Sequence, residues 1–255
     1  MSIQRMCRIE ESRTLGEGLH SLTLSCGDMA REMRPGQFVH VACGADQLLR
    51  RPISLCTVSG DTFRLVFQIK GAGTRYLAER KAGEQVDVLG PLGRGFDLDR
   101  LGPRPVFVGG GIGVPPLLWG MQRVRQRGGE PRAVLGFRSR GAVILTEEFE
   151  REGACTITTD DGSFGRPGFV TDALAECLAG ASAVAACGPR VMLRAVAHLA
   201  KAAGVPCQVS LEERMGCGIG ACLVCACALK GEAGQTRYGH VCKDGPVFDA
   251  EEVVW

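Results

Sequence analysis

The chain has 255 residues, 45% hydrophobic and 23% charged, the make-up of a folded protein with room for two cores and not of an extended disordered chain. Its formal net charge is only +2 and it has no long basic run, so nothing favours a nucleic-acid partner. The opening MSIQRMCRIEESRTLGEGLH is charged and broken by glycine, unlike a signal peptide, and no apolar run reaches the roughly 18 residues of a membrane span, so a cytoplasmic protein is expected.

From about residue 4 to 98, short alternating apolar runs are split by turn residues: Leu22–Leu24, Phe38–Ala42, Ile53–Val58 and Phe63–Lys70. Such spacing predicts an antiparallel β-barrel or sandwich. One short helix is expected near Gly73–Arg80, where Thr74 can cap. From about 104 to 210 strands alternate with helices. The strands read as Pro105–Val108, Arg132–Phe137, Cys155–Thr159, Ala183–Cys187 and Cys207–Leu211. The helices read as Pro115–Arg127, Glu147–Glu150, Phe169–Leu178 and Arg190–Ala203. This order predicts a doubly wound parallel α/β sheet with helices on both faces. The last zone is Cys- and Gly-rich and too short to form a core without a staple. The expected division is 1–100, 101–211 and 212–255.

Twelve of the thirteen cysteines fall into two groups, and the thirteenth, Cys187, ends a strand-like run. Cys7, Cys26, Cys43, Cys56, Cys155, Cys177 and Cys207 are scattered, mostly among apolar neighbours, and read as free thiols that pack as small hydrophobes. Cys217, Cys222, Cys225 and Cys227 crowd together, with Cys242 downstream. An odd total and tight clustering point to a metal site and not to a secreted disulfide framework. Cys217-x4-Cys222-x2-Cys225 followed by Cys242 is the plant-type spacing of a [2Fe–2S] cluster. The loop must curl around an inorganic core, and Gly216, Gly218 and Gly220 supply unusual backbone angles and amides that can point at sulfur. A structural zinc ion on four cysteines is the alternative. Zinc ligands usually come as two short knuckles, whereas the fourth cysteine here stands alone. Cys227 is expected to pack inside a strand.

Three further segments carry chemistry. Arg51-Pro52-Ile53-Ser54 lies in a strand-like stretch, and Gly71-Ala72-Gly73-Thr74 opens a helix. A Gly-rich turn at a helix start suits a pyrophosphate, an arginine suits a diphosphate, and a hydroxyl suits the edge of an oxidisable ring. Gly109-Gly110-Gly111-Ile112-Gly113-Val114-Pro115-Pro116 follows a strand and precedes a helix, which fits a dinucleotide, although it is not the G-x-G-x-x-G fingerprint. Cys187-Gly188-Pro189 ends another strand of the same sheet, where ligands of open α/β sheets bind. A buried strand-end thiol is the plain reading of Cys187.

Taken in order, R-P-I-S, G-x-G-T, G-G-G-I-G-V-P-P, C-G-P and the four-cysteine loop resemble the ferredoxin–NADP+ reductase superfamily over essentially the whole chain. The block Glu212–Cys222 and the ending Val241–Phe248 are most similar to the electron-transfer subunits of NAD-dependent dihydroorotate dehydrogenases. The resemblance implies FAD in the N-terminal barrel, with Arg51, Pro52 and Ile53 along it, Arg51 on the diphosphate side and Ser54 at the reactive edge. It places Gln68, Ile69 and Lys70 along the ribityl chain and ring, and Gly73 and Thr74 at the phosphates. It implies NAD(H) over Gly109, Gly110, Gly111, Ile112 and Gly113, with Cys187, Gly188 and Pro189 where nicotinamide meets flavin. Ser54 and Cys187 become the residues beside hydride transfer, and Cys217, Cys222, Cys225 and Cys242 the cluster ligands. The implied partner is an FMN-containing catalytic subunit that oxidises dihydroorotate to orotate, with two of each subunit. A reductase subunit of a sulfide dehydrogenase, hydrogenase or transhydrogenase is the near alternative, and a zinc-stapled nucleotide-binding regulator the distant one. One departure concerns the second strand of the α/β region, which ends at Phe137-Arg138-Ser139-Arg140 where an acid would read a ribose hydroxyl. Those arginines could accept a 2′-phosphate or be plain surface charge; the resemblance favours NAD.

Overall fold

The computed structural model describes residues 3–231 and 234–255; Met1 and Ser2, at the head of the barrel zone, and residues 232–233 of the cysteine-rich zone lie outside them. Six strands close the N-terminal barrel: β1 (Ile3–Gly16), β2 (Leu19–Ser25), β3 (Phe38–Val41), β4 (Arg51–Ser59), β5 (Thr62–Gln68) and β6 (Gln85–Leu92), in the order β1-β2-β5-β4-β3-β6. A short helix α1 (Asp28–Arg31) follows β2, and α2 (Ala72–Ala78) bridges β5 and β6. Strand alternation decides what each barrel residue does. Val39, Val41, Ile53 and Leu55 point into the barrel core, while Pro52 and Ser54, on the opposite face of β4, remain at least partly exposed. β1 is the strand that charge patterning obscured. Only Cys7 and Ile9 of its fourteen residues are fully buried, and the rest of it faces solvent or is half-covered.

The barrel also corrects the reading of two cysteines. Cys7 and Cys26 are joined by a disulfide, with Cα atoms 4.8 Å apart. The antiparallel register sets Arg8 opposite Ser25, which brings the preceding and following cysteines together. That proximity is a property of strand pairing, not of sequence spacing. Cys43, Cys56 and Cys207 are buried free thiols and Cys155 and Cys177 are half-buried, as packing residues would be.

Past helix α3 (Leu98–Leu101), a seven-stranded sheet runs in the order β10-β9-β8-β7-β11-β12-β15. Its strands are β7 (Val106–Gly110), β8 (Arg132–Phe137), β9 (Ala154–Thr159), β10 (Arg166–Pro167), β11 (Val184–Cys187), β12 (Cys207–Ser210) and β15 (Val247–Asp249). Helices α4 (Pro115–Gln126) and α5 (Thr146–Glu152) cover one face; α6 (Val170–Cys177) and α7 (Arg190–Ala202) cover the other. α4 begins with two prolines, where a missing N–H costs nothing. It buries Leu117, Leu118 and Met121, each side chain worth roughly 1.5–3 kcal/mol of transfer free energy. The sheet is parallel except at β15, which pairs antiparallel with β12. The chain therefore returns from the cysteine-rich zone to the edge of the nucleotide sheet, and the boundary at 211 is not a clean break. The remaining strands, β13 (Ala226–Lys230) and β14 (Thr236–His240), form a hairpin whose buried residues Cys227 and Leu229 pack into the core beneath the sheet. Cys227 thus packs in a strand, as expected.

Candidate functional site

Where the barrel, the sheet and the cysteine-rich zone meet, a cleft of about 220 Å³ opens. Pro52 and Ser54 of β4 line it from the barrel, and Ile112, Pro116 and Ser210 from the sheet. The register explains the grouping: Phe38 pairs with Ser54 and His40 with Pro52, so the outward face of β3 continues the outward face of β4. Phe38, Met215 and Pro246, which the sequence did not single out, complete the walls. Gln68 and Lys70 lie on the rim. The side chain of Ile69 packs on the barrel core instead, while Ile53 is buried in that core and also borders the cleft.

The turn at the start of α2 borders this cleft, and Thr74 lines it. Arg51 lies over Gly73, where an added Cβ would come within 2.7 Å of Nε, so only glycine lets the guanidinium approach that backbone. Arg51 Nη2 donates to Gln47 Oε1 at 3.1 Å and Nη1 to the Leu49 carbonyl, which locks the arm in place. The Thr74 hydroxyl is engaged within its own turn, accepting from the backbone N–H of Lys70 at 2.9 Å and of Gly71 at 3.2 Å. Thr74 shapes the turn at the start of α2, and the cationic arm there is Arg51.

On the sheet side, β7 and β11 are neighbours and their following turns diverge to opposite faces, the switch point where open α/β sheets bind ligands. Gly109 is paired with Cys187 across this point, and Gly113 packs against the carbonyl carbon and oxygen of Cys187 and the Cα of Gly188. The two glycine-bearing motifs, 74 residues apart in sequence, are therefore one crevice. Cys187 is buried, and that burial, with Glu212 nearby, pushes its thiol up to about 12. It is a neutral packing and hydrogen-bonding group, not a thiolate nucleophile.

A second cavity, of about 540 Å³, extends from Gly110 and Gly111 past Phe137 and Arg138 to Asp160. Asp160 follows β9, and its N–H donates to the carbonyl of Phe137 at the end of β8. An acid therefore does stand at the sheet's carboxyl edge, one strand further on than the sequence reading looked for it. The signal was an aspartate directly after a strand, visible in Thr159-Asp160-Asp161-Gly162. Arg140 lies apart, its guanidinium 5.6 Å from the Phe164 ring centroid.

The four cysteines converge at the edge of the barrel. Gly218 (φ +75°), Gly220 (φ +84°) and Leu223 (φ +62°) all take left-handed backbone angles, and these three reversals curl the loop. The curl aims amides at sulfur. Ile219 N and Ala221 N donate to Cys217 Sγ at 3.4 and 3.2 Å, and Gly220 N to Cys242 Sγ at 3.1 Å. Cys217 N reaches Cys222 Sγ, and Cys242 N reaches Cys225 Sγ, both at 3.4 Å. Slight burial acts against ionisation of Cys217, but the amides of Ile219 and Ala221 outweigh it and bring that thiol down to about 6. Burial, followed by its contact with Cys225, pushes Cys242 up to about 12, so a metal charge is needed to ionise it. Four thiols caged by amide donors fit an anionic iron–sulfur core. Among the described residues no group of three or more His, Cys, Asp or Glu is arranged to hold a single metal ion. Against the cage, under Gly218, stands His40, which the sequence reading also passed over. It is completely buried, and burial followed by the charges of Arg50 and Arg51 lowers its pKa to about 4.

A closed antiparallel barrel, a doubly wound sheet and a cysteine-caged segment define a flavin-reductase-type oxidoreductase fold with an iron–sulfur appendage. The solved structure of an NADH-dependent reduced ferredoxin-NADP oxidoreductase matches with a TM-score of 0.87 and 30% identity, covering 98% of this chain and 90% of that one. A ferredoxin reductase of carbazole 1,9a-dioxygenase shares the fold, with a TM-score of 0.67 and 16% identity over 80% of this chain and 67% of that one. Residues 212–254 match the iron-sulfur cluster binding domain of dihydroorotate dehydrogenase B. The electron transfer subunits of dihydroorotate dehydrogenase B (NAD(+)) from Bacillus caldolyticus and Enterococcus faecalis are 46% and 43% identical, over 96% and 98% of both chains. The chain belongs to this family of oxidoreductase electron-transfer subunits. No helix among the described residues is long and apolar enough to cross a membrane.

Proposed function

We propose that this chain relays electrons between NAD(H) and an FMN-containing catalytic subunit that oxidises dihydroorotate to orotate, through an FAD in the barrel cleft and a [2Fe–2S] cluster on Cys217, Cys222, Cys225 and Cys242. The observation that carries the reading is the adjacency of three sites: the switch-point crevice, the barrel cleft and the thiol cage share walls formed by β3, β4 and residues 210–218. The nicotinamide supplies hydride, the flavin converts between two-electron and one-electron transfer, and the cluster passes single electrons. The work of the chain's own residues is positioning. Arg51 holds the diphosphate end, while Pro52 and Ser54 present a flat wall and one hydroxyl to the ring. Gly109–Gly113 let the nucleotide approach the backbone, and the neutral Cys187 fills the floor. No side chain is required as a general base.

Asp160, at the far end of the second cavity, favours NAD over NADP by accepting from a ribose 2′-hydroxyl and repelling a 2′-phosphate. Arg138 lines that cavity but stands beside the acid, and Arg140 lies outside it. The cluster loop turns Ile219, Leu223 and Val224, each more than half exposed, outward around the thiols. Such an apolar rim suits a docking catalytic subunit, in a cytoplasmic assembly of two of each chain. The high structural likeness to the ferredoxin-NADP oxidoreductase favours, as second reading, a reductase subunit serving another partner. The 43–46% identity over nearly the whole length of the dihydroorotate dehydrogenase subunits favours the first. Anaerobic addition of NADH to the purified chain, followed by low-temperature electron paramagnetic resonance, tests the relay. A rhombic signal of a reduced [2Fe–2S] centre is expected. A colourless protein with bound zinc, or a cluster that neither nucleotide reduces, would overturn it.

A further inference from the structure

His40 occupies the outward face of β3, beside Phe38 and across from Pro52 on one side and Leu89 on the other. That face would be solvent-exposed in an isolated barrel, but the cysteine-rich segment roofs it and the imidazole is 0% exposed. Neither Nδ1 nor Nε2 has a hydrogen-bond partner among the described residues. Leaving a buried N–H unpaired is unfavourable, and polar groups so placed are almost always satisfied. The ring lies directly against the cluster loop: a Cβ on Gly218 would stand 2.7 Å from Nδ1 and 3.1 Å from Cε1. Gly218 follows Cys217, whose sulfur already accepts from the amides of Ile219 and Ala221. The nearest side chains offer nothing better. Phe38 meets the ring edge-on with centroids 6.3 Å apart, and Arg50, which reaches the His40 carbonyl, is itself only a donor.

We propose that His40 is a positioning residue of the electron relay, whose ring N–H donates across Gly218 to a sulfur of the bound [2Fe–2S] cluster. The inference rests on the ligand assignment proposed above. Because reduction adds one negative charge to the core, a donor to sulfur binds the reduced form more strongly and raises the cluster's potential. Gly218 is required because any side chain would separate the ring from the core.

The test is a redox titration of the NAD-reducible protein, monitored by electron paramagnetic resonance, on the wild type, His40→Leu and His40→Asn. Leucine fills the site without a donor; asparagine returns an N–H near the position of Nδ1. In His40→Leu the ratio of reduced to oxidised cluster at a fixed potential is expected to fall about tenfold, a lowering of ~59 mV for a one-electron couple. In His40→Asn most of that shift is recovered, and the flavin potential is unchanged in both. A cluster potential unaltered in His40→Leu, or a shift confined to the flavin, overturns the proposal while leaving the relay intact. Absence of any cluster signal in the wild type overturns the ligand assignment beneath it. Should His40→Leu fail to retain iron, wild-type protein labelled with 15N-histidine gives the answer by pulsed resonance. A histidine nitrogen coupled to the reduced cluster and absent in His40→Asn, where iron is retained, supports the contact; no histidine coupling removes it.

Discussion

Gly218→Ala is the sharpest test of how the loop is held. The residue sits at φ +75°, where an L side chain costs about 1–2 kcal/mol. The new Cβ would also meet His40 Nδ1 at 2.7 Å, and this ring is fully buried under the loop and hemmed by Phe38, so it cannot swing into solvent. Overpacking of that kind costs about 1–3 kcal/mol. The two together amount to about 2–5 kcal/mol, roughly 30-fold to 4,000-fold in the equilibrium that closes the cage. Gly220→Ala shares the backbone cost (φ +84°), but its Cβ meets Lys243, whose exposed side chain can move, so about 1–2 kcal/mol is expected. Gly216→Ala has no positive φ and its nearest contact is Cys222 Sγ at 3.1 Å, so a loss under about 1 kcal/mol follows. The assay is iron and acid-labile sulfide per chain, with the rate of cluster loss to a chelator and the unfolding midpoint. The order Gly218 > Gly220 > Gly216 is expected. A Gly218→Ala protein with full iron and a wild-type midpoint would refute the reasoning.

Arg64 of the barrel and Glu148 of α5 are less than a third exposed, and both Glu148 oxygens lie 2.9 Å from Arg64 Nη1, tying the two domains together. Arg64→Ala or Glu148→Ala should each lose about 1–3 kcal/mol in denaturant unfolding, and the double variant should lose less than their sum; strict additivity would mean no coupling. Asp160→Ser should raise the ratio of kcat/KM for NADPH over NADH about tenfold or more, and an unchanged ratio would place nucleotide selection elsewhere. Burial holds His20 below its ordinary value of 6.5, so its neutral form is favoured in the fold. Its contribution is complete above pH 6.5 and is lost as pH falls through the lowered value. Thermal midpoints of wild type and His20→Gln should therefore converge on acidification; parallel curves from pH 8 to 5 would contradict that.

The fold was legible wherever hydrophobic period and glycine placement agree. Apart from the exposed two-residue edge strand β10, which the sequence did not reveal, the strands and helices from Val106 to Ser210 match the sequence reading to within two or three residues, because buried parallel strands are continuous apolar runs and the helices carry one apolar stripe. β1 was not legible, since charged residues dominate its solvent face. The Cys7–Cys26 bond was not, since it depends on the register of β1 and β2. The cluster loop was legible as cysteine spacing, and the need for Gly218 and Gly220 became visible only as their left-handed angles and five amide-to-sulfur contacts around them; Gly216, expected to share that role, has no positive φ.

By itself, then, the sequence determined the class of chemistry: four thiols at a ligand spacing, glycine turns after strands, and an arginine and a hydroxyl on one strand are local patterns, and local patterns are written in order along the chain. What surrounds those groups was decided by the tertiary structure. Thr74 is engaged in its own turn, Cys187 is a neutral floor, Asp160 comes from the neighbouring strand, and His40 meets Gly218 across 178 residues. Each of these follows from which strand lies beside which and which face is roofed, and burial and contact between distant segments leave no periodicity in a sequence from which they could be read.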